Sequence, residues 1–102
     1  LLAPSIVTQP ADQIIKPRQP ITISVLASGQ GPLSYQWYIG NSGDTSQPIN
    51  GAHASSYTIS TLTSTTRFWV RVSNISGSAD SRTTIVKVQY NIHLPLIMRA
   101  FP

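Results

Sequence analysis

Apolar and polar residues alternate along most of this chain in short runs, and clusters rich in Gly, Pro, Asn and Ser separate those runs. Alternation with period two places successive side chains on opposite faces of an extended backbone, so each run predicts a half-buried β-strand. Ile21, Ile23 and Val25 point one way while Thr22, Ser24 and Leu26 point the other. Leu33, Tyr35, Trp37 and Ile39 form the next inward face, with Gln36 and Tyr38 opposite. Tyr57, Ile59 and Thr61 begin a further alternation, and Phe68, Val70 and Val72 continue it against Arg67, Trp69, Arg71 and Ser73. In the last run Thr84, Val86 and Val88 are the more apolar set and are read as facing in, against Thr83, Ile85 and Lys87. Ile6, Val7 and Thr8 read as a first short strand ended by Pro10, and Gln13 to Lys16 continue it on the other sheet until Pro17. Proline there implies an edge, because it cannot donate to a ladder.

Turn signals at Pro17 to Pro20, Gly29 to Pro32, Gly40 to Asp44, Asn50-Gly51 and Ser76 to Ser78 recur at short intervals. Pro48 to Ala52 reads as a short edge segment followed by a tight turn. No run of helical period competes, so the fold class is all-β, a sandwich or barrel of about seven strands. With 102 residues the chain suits one domain with a modest core.

The segments Gly31-Pro32-Leu33-Ser34-Tyr35-Gln36-Trp37-Tyr38, Ile49-Asn50-Gly51-Ala52, Tyr57-Thr58-Ile59, Phe68-Trp69-Val70-Arg71-Val72-Ser73-Asn74 and Gly77-Ser78-Ala79-Asp80-Ser81 narrow the choice. Together they resemble the bacterial immunoglobulin-like modules of large secreted and surface proteins, over residues 5 to 88. The resemblance implies an immunoglobulin-like β-sandwich spanning residues 1–89, with a core built on Val25, Trp37, Phe68 and Val70. Two departures stand out: Val25 and Val70 occupy the positions where the family commonly has a cystine, and Phe68 stands where it often has a corner tyrosine. Such modules are mostly spacers, adhesion units or appendages to catalytic domains, and the resemblance implies no catalytic residues.

Residues 90–102 go beyond what seven strands need, and Tyr90, Ile92, Leu94, Leu96 and Met98 share one face of an extended strand. An apolar strand left in water is an aggregation hazard, so a covering partner is expected. The segment around Leu94-Pro95-Leu96, with Arg99 after it, resembles the closing segment of many secreted proteins of filamentous, mat-forming bacteria, which would make residue 102 the true end of the polypeptide. Three readings stand: a sorting or anchoring tag, an assembly strand donated to a neighbouring subunit, or a tail folded back on its own sheet. The apolar Leu1, Leu2, Ile6 and Val7 suit a docking groove or a linker from a preceding domain. A tail and groove that meet between subunits would make a heterologous contact, which builds filaments.

Composition adds a setting rather than an activity. There are seven basic and three acidic residues, no glutamate and no cysteine. Low charge and abundant Ser and Thr suit an extracellular or cell-surface location. The basic residues Lys16, Arg18, Arg67, Arg71, Arg82, Lys87 and Arg99 are scattered singly, which argues for solvated surface and against nucleic acid as a partner. No segment supplies the roughly 20 apolar residues of a membrane span. A start at Leu1-Leu2-Ala3-Pro4, without Met or a charged leader, reads as a mature or excised piece of a larger protein.

Candidate chemistry is sparse. His53 and His93 lack neighbouring carboxylates, so no metal and no cofactor is expected. Asp12, Asp44 and Asp80 read as turn formers rather than a glycosidase pair. No Gly-x-Ser-x-Gly elbow is present, and absence of cysteine removes a thiol nucleophile, so the chain is read as a non-enzyme. Outward Tyr38 and Trp69 are candidates for stacking on sugar rings, with a cation–π contact to Arg67 or Arg71 as the competing explanation. Asn74-Ile75-Ser76 fits a glycosylation pattern, and its place in a turn explains the Asn without a glycan. The sequence reading is a self-assembling structural or adhesion module whose partners are copies of itself or neighbouring domains. The alternative is a polysaccharide-binding or spacer module of a larger secreted enzyme.

Overall fold

A computed structural model describes residues 2–90. The chain forms nine strand segments: β1 (Ser5–Thr8), β2 (Gln13–Ile15), β3 (Ile21–Ser24), β4 (Leu26–Ser28), β5 (Ser34–Ile39), β6 (Ser56–Ile59), β7 (Thr66–Asn74), β8 (Gly77–Asp80) and β9 (Thr84–Val88). Two pairs of segments are single strand paths with a break; the edge segment expected at Pro48 to Ala52 contributes only a bridge from Pro48 to Tyr38. β3 and β4 are separated at Val25, where the path changes partner from β6 to β1; the Val25 amide still donates to Ser55 O at 2.9 Å, one residue further along the β3-β6 register. β8 and β9 both run antiparallel to β7, at opposite ends of it, on either side of a break at Ser81.

One sheet has the order β2-β9-β7-β5, with β8 continuing the pairing on β7. The opposing layer is made of the β1-β4 and β3-β6 pairs. Their inward faces meet in one cluster that joins Ile21, Ile23 and Val25 to Trp37, Phe68, Val70, Val72, Val86 and Val88. Full burial of such side chains stabilises by about 1.5–3 kcal/mol each, so this core replaces what a cystine would contribute. Trp37 is 0% exposed, and its indole N–H donates to Ala54 O at 2.8 Å, which removes the cost of burying a polar atom.

The crossing from the first layer to the second, between β1 and β2, is stitched to the strand path opposite. Gln9 Oε1 accepts from the Arg82 amide at 2.9 Å, Pro10 O accepts from Thr84 Oγ1 at 3.2 Å, and Asp12 Oδ1 accepts from the Ile85 amide at 2.9 Å. This crossing sets β2 parallel to β9, with Ile14 opposite Lys87, as the edge strand of the larger sheet.

Two expectations are corrected. Ile39 is 38% exposed rather than inward: it ends β5, where the strand runs past the core. Gly77 and Ser78, read as part of a turn at Ser76 to Ser78, instead open β8 (Gly77–Asp80), because the hairpin with β7 is tight enough for Asn74 to pair with Gly77.

Candidate functional site

The outward face of the larger sheet holds the two candidate sugar-stacking residues. Tyr38 and Trp69 are cross-strand partners in the β5-β7 ladder, so backbone register alone puts their rings side by side. Their centroids are 4.4 Å apart and the planes differ by 9°. The Arg71 guanidinium, two residues along on the same face, lies 5.3 Å from the Trp69 centroid. It also grips Asp80 with two bonds of 2.7 and 3.1 Å. Those bonds favour the charged form and raise the Arg71 pKa further above its ordinary value. Arg67, the other candidate for a cation–π contact, instead reaches Asn41 Oδ1 at 3.4 Å.

The loop after β5 closes over this face. The Trp69 indole N–H donates to Asp44 O at 3.0 Å. Asp44 holds the loop in turn, because its Oδ1 accepts from the Ser46 hydroxyl at 2.7 Å and the Ser46 amide at 3.0 Å. Both bonds hold the Asp44 carboxyl below its usual value. Gly40 and Gly43, at φ 124° and 95°, give the bends that bring the loop back. Trp69 is consequently 0% exposed and presents no face to a ligand, which corrects its role as a stacking platform. An outward position on a strand means solvent only where no loop covers it. Tyr38 remains half-buried.

At the other end of the same sheet, β2 and β9 form an edge with exposed apolar side chains. Ile14 is 67% exposed. It lines a shallow apolar groove with Asp12, Gln13, Ile85 and Lys87 on one side. On the other side a second groove is lined by Ile14, Ile15, Lys16, Gln19, Gln89 and Tyr90. Tyr90, first residue of the expected tail, is fastened there: its hydroxyl donates to Thr63 O, and the preceding Gln89 amide donates to Ile15 O at 2.8 Å. The other tail candidates, Ile92, Leu94, Leu96 and Met98, lie outside the described residues.

Val25, Trp37, Phe68 and Val70 come together in the core at 7, 0, 0 and 0% exposure. The three aspartates do not converge. Asp12 caps the Ile85 amide, Asp44 latches its own loop and Asp80 pairs with Arg71. His53 Nδ1 lies 3.3 Å from Tyr35 O, while His93 is outside the described residues. Among the described residues no three His, Cys, Asp or Glu side chains gather as metal ligands. Asn74 is fully engaged without a glycan: its Oδ1 accepts from the Ser76 and Gly77 amides, and its Nδ2 donates to Leu2 O and Gln30 O at 2.8 Å each.

Leu2 and Tyr90 therefore sit at opposite poles of the sandwich. Leu2 is tied to Asn74, the last residue of β7, and Tyr90 to Thr63, just ahead of the first. The nine residues of β7 separate the poles by about 30 Å.

The fold is immunoglobulin-like. A chain of the titin M10 and obscurin-like 1 Ig complex superposes with a TM-score of 0.71 at 13% identity, covering 90% of this chain and 99% of that one. The titin M3 domain gives 0.66 at 21% identity, covering 87% and 99%. Sidekick-1 immunoglobulin domains 1–5 give 0.69 at 11% identity, and the match covers 88% of this chain but 20% of that longer one. Likeness at these identities carries the fold and no activity. No curated protein matches the sequence. A family model described as a domain of unknown function (DUF8696) matches residues 6–91, and the chain belongs to that family.

Proposed function

We propose that this member of the DUF8696 family is a non-catalytic structural or adhesion module of a bacterial secreted or cell-surface protein, and that residues 90–102 join it to another copy of itself by strand addition. The observation that carries the reading is the placement of the two poles. Leu2 lies beside Asn74 at one end and Tyr90 beside Thr63 at the other, so the two ends of the described chain are set apart along β7, an arrangement that suits end-to-end assembly. All three aspartates have structural partners: Asp12 takes the Ile85 amide, Asp44 holds its own loop and Asp80 pairs with Arg71 across the β7-β8 ladder. Low charge and abundant Ser and Thr support an extracellular setting.

The tail adds assembly to this reading. Its alternating apolar face, Tyr90, Ile92, Leu94, Leu96 and Met98, has the form of a strand that pairs through main-chain bonds and reads its partner with alternate side chains. Deletion of residues 91–102 tests it. The truncated protein is expected to unfold cooperatively as a monomer while the full chain associates; association that survives the deletion contradicts the role of the tail. The spacer alternative shares the axial arrangement and differs only in predicting a monomer for both.

A further inference from the structure

We infer that the acceptor for the tail is the outer edge of β2 in a second copy of this chain, an edge that no other strand of the described residues pairs, centred on Ile14; the inference rests on the assembly reading just given. In a parallel ladder alternate residues direct both backbone groups to the partner strand. Ile15 O accepts from the Gln89 amide, so Ile15 faces β9, and the N–H and C=O of Ile14 point outward from the sheet. The Ile14 side chain is 67% exposed, with the apolar groove of Ile85 and the Lys87 stem beside it. An edge with outward main-chain groups and an exposed apolar side chain is a template for one more strand. Gln13 Nε2 donates to Thr22 O at 3.1 Å, which ties this edge to the opposing layer and holds it in place for a partner.

The occupant comes from a second copy because of how the tail starts. The alternation begins at Tyr90 itself, and no glycine follows Gly77. Tyr90 lies beyond the end of β2, past Ile15, at the pole where the chain leaves. β9 and β2 run parallel, so the chain leaves β9 heading past Ile15, and pairing with Ile14 of the same chain would require a reversal after Tyr90. The 12 residues after Tyr90 span up to about 40 Å when extended, enough to reach another molecule. Tyr90, held at its own pole, then acts as the anchor, and Ile92, Leu94, Leu96 and Met98 supply the face that docks. Donor and acceptor are different surfaces, so the contact repeats head to tail.

The test uses two full-length variants and static light scattering. Ile14→Lys spoils the acceptor at an exposed position, and Leu94→Lys with Leu96→Lys spoils the donor; circular dichroism melts check that each still folds. Each variant alone is expected to be a monomer near 11.1 kDa. Their mixture is expected to give a one-to-one dimer and no larger species, because one intact tail meets one intact edge. If the parent chain associates and Ile14→Lys leaves its mass unchanged, the acceptor lies elsewhere and the inference fails while the assembly reading stands. If the parent chain itself is monomeric, both fail.

Discussion

Trp69 donates its indole N–H to the backbone carbonyl of Asp44, 25 residues earlier, at 3.0 Å. This bond latches the loop after β5 onto the outer face of the sheet and leaves the ring no exposed surface. The aromatic, cationic and acidic residues on that face thus form a structural cluster of Tyr38, Trp69, Arg71 and Asp80. Replacing Trp69 with Ala is expected to destabilise the domain by about 3–5 kcal/mol. Amide exchange in residues 41–46 should accelerate in the variant. An unchanged melt with unchanged exchange in residues 41–46 would contradict the latch.

The core makes a separate demand at Trp37. Trp37→Phe removes the bond to Ala54 O and some buried volume. The expected loss is about 2 kcal/mol, combining an unpaired carbonyl with a small cavity. Urea denaturation of both proteins, with equal slopes, measures it.

Ser81 is a buried hydroxyl with a backbone task. Its Oγ accepts from the Val70 amide at 2.9 Å where the strand path breaks between β8 and β9. Ser81→Ala leaves that buried N–H without a partner, at a cost of about 1–3 kcal/mol. Hydrogen exchange at Val70 should rise more than at its neighbours.

Asn74 separates two roles within one side chain. Asn74→Asp keeps the acceptor for the Ser76 and Gly77 amides and loses the donor to Leu2 O and Gln30 O. The turn should persist while the segment before β1 loosens, seen as faster proteolysis ahead of Ser5 with little change in melting temperature. Asn74→Ala should lose both, at about 1–2 kcal/mol.

Acid sensitivity follows from Asp44. Ser46 lowers the folded-state pKa of this carboxyl below its ordinary value of 3.8. A depressed folded pKa contributes stability above the unfolded value that is lost as pH falls through the folded one. Melts of the parent protein should therefore fall below about pH 4 more steeply than those of Asp44→Asn. Parallel curves would exclude a contribution from the Ser46 bonds.

The inner face was legible because alternation is a property of the extended backbone: Ile21, Ile23, Thr84, Val86 and Val88 are all buried. What lay on the outer face was not, since covering Trp69 takes a loop whose return depends on Gly40, Gly43 and the Asp44 latch rather than on the strand's own pattern. Ile39 keeps the period but runs past the core, because periodicity carries no information on where the opposing layer ends. The break at Val25 comes from the change of partner from β6 to β1, and the one at Ser81 from its hydroxyl taking the Val70 amide, neither signalled by local composition. Asn74 could have been read further, since Asn-x-Ser-Gly is a turn signature as well as a glycosylation pattern. The exposure of Ile14 is not legible locally, because Pro17 marks an edge strand without showing which residues of it turn their backbone groups outward.

The assembly claim is tested most directly by the solution mass of the full chain, measured by light scattering over a hundredfold range of concentration. Assembly through the tail gives species that grow with concentration in multiples of 11.1 kDa and revert to monomer when residues 91–102 are removed. A single 11.1 kDa species at every concentration would contradict it and leave an unassociated spacer module.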